Sequence, residues 1–375
     1  MSAELSPDRG ETDLTDRPLL GTVLAIQANY YQVQLDPIAE PDPTSPSQLL
    51  SLPKTLLCTR RSRLKKIGQK VMVGDQVEIE EPDWTGGRGA IAQVLPRRSE
   101  LDRPPVANAD QILLMFALAE PDLEPLQLSR FLIKAESTEL AVLLCLSKSD
   151  LVPLEAQAHW QKRLRQWGYE PILISVPKEI GLLELETHLN QQITVVSGPS
   201  GVGKSSLINR LIPQAQLRVG EVSGKLAKGR HTTRHVELFE LPIGGLLADT
   251  PGFNQPDLDC TPRELADYFP EARARLAITS CQFSDCLHRD EPNCAVRGDW
   301  ERYEHYLILL EEAIAYQAVL ERTSDPDATL KLKTKRGKQQ YEPRLELKKY
   351  RRTSRRTQQQ ELQNLEFEER NGETD

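Results

Sequence analysis

The run Gly198-Pro199-Ser200-Gly201-Val202-Gly203-Lys204-Ser205-Ser206 has the spacing G-x-x-x-x-G-K-S, with an apolar stretch before it and an amphipathic stretch after it. Such a loop suits polyphosphate chemistry. Its glycines let backbone N–H groups wrap the α- and β-phosphates at a helix start, Lys204 reaches the β- and γ-phosphates, and the Ser205 hydroxyl is offered to Mg²⁺. A second group, Cys281, Cys286, His288 and Cys294, has the spacing C-x4-C-x-H-x5-C. Three thiolates and an imidazole complete a tetrahedral set with no open position, so one zinc ion held here is structural and supplies folding energy to a short polar segment.

The base that accompanies the phosphates is indicated by "LSKSD", at the end of an apolar stretch. Guanine-specific enzymes place Asn-Lys-x-Asp at such a strand end. Asp150 accepts from both the ring N–H and the exocyclic amine of guanine, a pair that adenine lacks, while the stem of Lys148 lies over the ring. Ser147 stands where Asn is usual, and Ser149 fills the variable position. Ser175, in "ISVPKEIGLLEL", belongs to a second base-contacting loop. Both base loops precede the phosphate loop, Lys148 standing 56 residues before Lys204, whereas ordinary GTPases have the opposite order. After the phosphate loop come "KGRHTTRHVEL" and "ADTPGF". Asp249 fits the acid on the Mg²⁺ side, Gly252 the backbone N–H that senses the γ-phosphate, and Thr232 and Thr233 lie in the nucleotide-sensitive region. One site containing all of these requires a circularly permuted domain.

The elements that must position these groups follow from the pattern. Residues 1–18 are polar and expected to be disordered. Residues 19–103 read as short β-prone pieces divided by Pro, Gly and Asp, which predicts a small oligonucleotide-binding-like barrel. Its basic loop carries Arg60, Arg61, Arg63, Lys65, Lys66 and Lys70. Residues 104–256 alternate strand and helix, which predicts an α/β domain with a mostly parallel sheet. Residues 257–325 hold the cysteine cluster and a long helix with Tyr303, Leu307, Leu310 and Ile314 on one face. Residues 326–375 form a basic and then acidic tail. The fold class is thus multidomain α/β, with a barrel, a permuted P-loop GTPase domain and a zinc-binding domain with helices.

The formal charge of −8 conceals an asymmetry, because residues 331–356 hold twelve Lys and Arg against two Glu. A basic segment on an acidic body suits contact with a phosphate backbone, and a solvated charged tail is the alternative reading. Six cysteines are too few for a disulfide scaffold, and no long apolar run or leader stands out, so a cytoplasmic protein without a membrane partner is expected.

The order "SKSD", "SV", "GPSGVGKSS", "GRHTT", "DTPGF" and "CQFSDCLHRDEPNCAV" resembles the small-ribosomal-subunit-dependent GTPase A family of circularly permuted bacterial GTPases, over about residues 18–325. The resemblance implies GTP hydrolysis with Mg²⁺, stimulated by the small (30S) ribosomal subunit, and contact with 16S rRNA. It also implies a role in late subunit maturation and in release of assembly factors. The chain is expected to be monomeric off the ribosome. Phe253 follows Gly252, and a phenyl ring cannot orient water, so His231 or a ribosomal group takes that part. Either Thr232 or Thr233 is the Mg²⁺-coordinating switch threonine. Two rival readings are an RNA-binding assembly module that uses GTP as a latch with incidental turnover, and an ATP-using enzyme.

Overall fold

The computed structural model describes residues 18–37, 53–102, 104–215, 236–249, 258, 260–324, 330–335 and 338–343. The chain forms two compact units, residues 1–313 and 314–375. The first opens with β1 (Leu19–Gln27), β2 (Tyr30–Leu35), β3 (Thr55–Arg60), the short helix α1 (Ser62–Lys66), β4 (Gln76–Asp83) and β5 (Arg88–Val94). Strands β2 and β3 begin by alternating exposed and buried residues, and pairing of β1 with both β2 and β4 closes the set into a barrel. Val23, Val33, Leu56, Cys58, Val77 and Ile91 fill its interior. The segment read as a basic loop contains α1, because Leu64 is buried in that interior and anchors one helical turn.

A small ribbon, β6 (Glu100–Asp102) and β7 (Pro105–Ala107), leads into an alternating series. The series runs β8 (Gln111–Ala117), α2 (Pro125–Glu136), β9 (Ala141–Ser147), α3 (Leu154–Gln166), β10 (Ile172–Leu173), α4 (Leu182–Leu189), β11 (Ile193–Ser197), α5 (Lys204–Leu211), β12 (Glu237–Glu240) and β13 (Leu246–Asp249). The sheet order is β10-β9-β8-β11-β13-β12, parallel except for β12. All seven residues of β8 are buried, as expected of a central strand covered on both faces. Every parallel strand therefore delivers its C-terminal end to one edge. Beyond β12 the sheet continues into the barrel through β1, by the pair Ala25 and Glu237.

The unit ends with a 3-10 turn at Leu265–Tyr268, α6 (Pro270–Ile278), the cysteine-bearing segment and the start of α7 (Tyr303–Ser324). The inward stripe beside and along α7 is Arg302, Tyr306, Leu309, Leu310 and Ala313, so of the four residues expected to share the inner face only Leu310 is fully buried. A charged residue belongs to this stripe, which shifts it away from the apolar count. In the second unit the rest of α7 is followed by an antiparallel hairpin, β14 (Leu330–Lys335) and β15 (Lys338–Pro343). Among the described residues, no helix is long and apolar enough to cross a membrane.

Candidate functional site

The phosphate loop joins the end of central strand β11 to the start of α5, so the first N–H groups of that helix lie at the C-terminal edge of the sheet. Gly198 has φ +139, and a Cβ there would sit 2.1 Å from the Met115 carbonyl oxygen, so a side chain would push the loop off β8. Gly203 has φ +95 immediately before the helix, in the left-handed region that glycine enters without strain. Pro199 and Val202 are buried, while Ser200 and Gly201 are exposed. Gly203, Lys204, Ser205 and Ser206 are half-buried. The Lys204 ammonium donates to the carbonyls of Gly198 and Pro199, each at 2.7 Å, and so bridges the loop from inside.

Ser147, Lys148, Ser149 and Asp150 follow β9 at the same edge. Lys148 takes a left-handed conformation, φ 56 and ψ 36, and turns the chain sharply into Ser149–Leu151. Its ammonium donates to the Glu120 carbonyl. The Ser149 amide donates to Ile174 O at 3.1 Å, and the Gln157 side chain donates to Ser149 O at 2.8 Å, which pins the loop to β10 and α3. Asp150 is exposed beside this anchored backbone. Ser175 is fully buried just past β10, where its hydroxyl accepts from the Lys178 amide at 3.2 Å and shapes the loop that follows. Asp249 ends β13 opposite Val196 of β11. His231, Thr232, Thr233 and Gly252 lie outside the described residues.

The structure thus brings the four-residue strand end, Ser175, the phosphate loop and the Asp249 backbone to one sheet edge, from a chain order opposite to that of ordinary GTPases. The loop after β8 also borders this edge. Glu120 O holds Lys148, and Pro121 Cδ would stand 3.6 Å from a Cβ on Gly201. Sequence reasoning passed over this loop, although "AEPDLEP" after a buried strand marks it as a shaped turn.

The second cluster brings Cys281, Cys286, His288 and Cys294 together, with all donor atoms within 4.8 Å of one another. The Cys281 and Cys294 sulfurs are 3.9 Å apart, and His288 Nδ1 is 3.3–3.5 Å from the three sulfurs. A tetrahedral zinc with bonds of about 2.0–2.3 Å gives edges of about 3.5–3.8 Å, so donor set and spacing fit that ion. Burial pushes the Cys286 thiol up to about 12, opposed by a hydrogen bond from the His288 amide. Binding a cation here therefore releases protons. Burial would raise the Glu291 carboxyl, but the amides of Leu287, Arg289 and Asp290 overcome it and hold the group at about 2. Glu291 thus gathers the turn that carries His288, a function with no signature in the spacing.

The cysteine segment is fastened to the neighbouring helices. Tyr303 and Tyr306 donate to the carbonyls of His288 and Leu287, each at 2.8 Å. The two residues before Tyr303 reach α3 and α6. Glu301 accepts from the Arg163 guanidinium and, at 2.9 Å, from the Trp167 indole. Arg302 is fully buried, pairs with both oxygens of Glu271, and lies 4.8 Å from the Trp167 ring centroid and 4.9 Å from that of Phe269. Ser129 and His305 are joined at 2.8 Å, and Arg130 makes a two-pronged pair with Glu312. Burial, reinforced by the charges of Arg302 and Arg163, keeps His305 below its ordinary value.

A barrel, a Cys3His module and a P-loop sheet whose base loops come before the phosphate loop define a circularly permuted GTPase with a zinc-type appendage. A profile of the family described as RsgA GTPase matches residues 94–259. The chain is 67% identical over 368 residues to "Small ribosomal subunit biogenesis GTPase RsgA" of Trichormus variabilis, spanning 95% of this chain and 99% of that one. It is 58% identical to the protein of the same description from Microcystis aeruginosa, spanning 95% and 96%. Among solved structures it is similar to YjeQ of Thermotoga maritima, with a TM-score of 0.65 at 30% identity over 80% of this chain and 99% of that one. YloQ, described as a circularly permuted GTPase, also gives 0.65, at 28% identity over 81% and 98%. The chain belongs to the RsgA GTPase family.

Proposed function

We propose that this chain hydrolyses GTP with Mg²⁺ on the small ribosomal subunit, late in its maturation, and that subunit contact sets the rate. The observation that carries the reading is the meeting of "SKSD" and the phosphate loop at one edge of the permuted sheet, Ser147 Oγ lying 2.6 Å from Val202 O. The relatives named as small-subunit biogenesis GTPases supply the partner.

In this reading Asp150 selects guanine, with Lys148 and Ser175 completing the base pocket. The amides of the 198–206 loop and Lys204 hold the phosphates. Ser205 and either Thr232 or Thr233 bind Mg²⁺, with Asp249 on its outer side, and the Gly252 amide meets the γ-phosphate. His231 or a ribosomal group positions water. The Cys3His set holds one zinc that supplies folding energy. The barrel's basic turn and the 331–356 segment hold 16S rRNA, residues 19–103, 104–256 and 257–325 acting as the three working parts. Off the ribosome the protein is a cytoplasmic monomer.

The test is GTP turnover by the purified protein with small subunits, with large subunits and with neither. Acceleration by small subunits alone is expected, and salt should weaken it steeply, as counterion release requires. Three equal rates overturn the subunit-dependent enzyme and leave GTP as a latch.

A further inference from the structure

Ser147 occupies the position where a guanine-reading motif carries asparagine, and its surroundings point to a different task. The residue is 3% exposed at the end of β9. Its hydroxyl lies 2.6 Å from Val202 O in the phosphate loop and 3.2 Å from Phe116 O at the end of β8. A serine hydroxyl has one proton, and the shorter contact takes it. An asparagine amide has two N–H donors and could serve a loop carbonyl and a base together. Serine has no second donor to give.

The carbonyl that takes this proton is well placed to matter. Val202 is 1% exposed and packs in the same core cluster as Cys145 of β9 and Leu207 of α5. In a planar trans peptide, the carbonyl of one residue and the N–H of the next point in opposite directions. Holding Val202 O inward against Ser147 therefore turns the Gly203 N–H away from the core, toward the side where the loop opens. Gly203, at φ +95, has no side chain to oppose a rotation of that peptide, so the orientation depends on what binds the carbonyl.

We infer that Ser147 is a positioning residue for the phosphate loop and not a base reader: it orients the Gly203 N–H through the Val202 carbonyl and leaves guanine selection to Asp150. The inference rests on the proposed guanine site, and it specifies a division of labour within that site. The phosphate side depends on Ser147 and the base side does not. Ser147→Ala removes one oxygen with little change in volume, but leaves a buried carbonyl without its donor. Loss of one such bond corresponds to about a fivefold change in affinity.

The experiment is titration of GDP and ADP into the full-length zinc-loaded protein, as wild type, Ser147→Ala and Asp150→Asn, with thermal unfolding and zinc content confirming that each variant is folded. Ser147→Ala should bind both nucleotides about fivefold more weakly while the ratio of GDP to ADP affinity stays within about twofold of wild type. Asp150→Asn should do the reverse, collapsing the ratio with ADP affinity unchanged. Ser147→Thr, which keeps the hydroxyl, should recover most of the loss seen with alanine. A ratio that narrows in Ser147→Ala makes Ser147 a base reader and overturns the inference. So does unchanged affinity for both nucleotides, because the tether then orients nothing. Failure of the guanine site itself would appear separately, as wild-type protein without preference for GDP over ADP.

Discussion

The sheet edge that gathers the phosphate loop and "SKSD" and the seam of the cysteine segment share helix α3 and are built by opposite means. At the edge, polar groups lie in loops held by backbone hydrogen bonds, and Asp150, Ser200 and Gly201 are exposed where a ligand can reach them. At the seam, charge is buried and paired. Arg302 is enclosed by Glu271, Trp167 and Phe269, and Glu301 takes up the guanidinium of Arg163 and the indole of Trp167. The contrast separates two uses of polarity. The edge leaves donors and acceptors open, as the proposed nucleotide site requires, whereas the seam uses them to fasten the cysteine segment to α2 and α3. Helix α3 is the element common to both, since its N-terminal end follows Asp150 and its C-terminal end carries Arg163, with Trp167 just beyond. If the division is sound, seam variants change stability with nucleotide affinity nearly intact.

The largest effect is expected for the metal set. Cys286→Ala removes one of the four donors, and structural zinc supplies about 10–16 kcal/mol to small modules. Elemental analysis should fall from about one zinc per chain to none, with loss of order in residues 281–294. GDP affinity should change by less than about threefold, because the seam still holds α3 through Glu301 and Arg302. A loss of GDP binding along with zinc would break the comparison and make the two regions one.

Arg302→Ala comes next. It strands the Glu271 carboxylate, which is only 12% exposed, and opens a gap between Trp167 and Phe269. Removing one partner of a buried pair costs about 3–5 kcal/mol, to be read in urea unfolding. Replacing Arg302 and Glu271 together by Met and Leu should restore much of that, since neither charge is then left alone. Equal losses for the single and double variants would mean that the pair itself holds the seam.

Glu291→Gln is the smallest of the three and sharpens the account of the cysteine turn. It sets an amide N–H₂ against one of the backbone donors now served by the carboxylate, at a cost of about 1–2 kcal/mol, measured as faster loss of zinc to a chelator at neutral pH. The folded carboxyl is held at about 2, below its value of about 4.3 in an unfolded chain. The wild-type advantage should therefore be level from pH 8 to about 5, and disappear only as pH falls through these two values. An advantage that already declines between pH 7 and 6 would assign the stabilisation to another group.

These differences show where the sequence was readable. The phosphate loop, "SKSD" and the Cys3His spacing could be recognised in one dimension, because each is a local motif with characteristic residue types at short, fixed separations. The alternation after residue 104 likewise reveals a parallel sheet, since strands buried on both faces, such as β8, must be continuously apolar. The basic run at Ser62–Lys66 was less legible as a helix, because a single buried Leu64 gives no period to count.

By itself the amino-acid sequence determined the class of chemistry, the permuted order of the motifs and the kind of metal set, because these depend on residue types at short separations. The tertiary structure alone decided which partners those residues have. Ser147 could be read from its motif position as a base contact, yet its one proton goes to Val202, 55 residues away. Arg302 carries no signature among its sequence neighbours, and is the buried centre of the seam only because Glu271, Phe269 and Trp167 close around it. The physical reason is that a hydroxyl or guanidinium has the same capacity to donate wherever it stands. Which acceptor receives the bond is settled by packing of distant segments, and those separations leave no period or spacing to read.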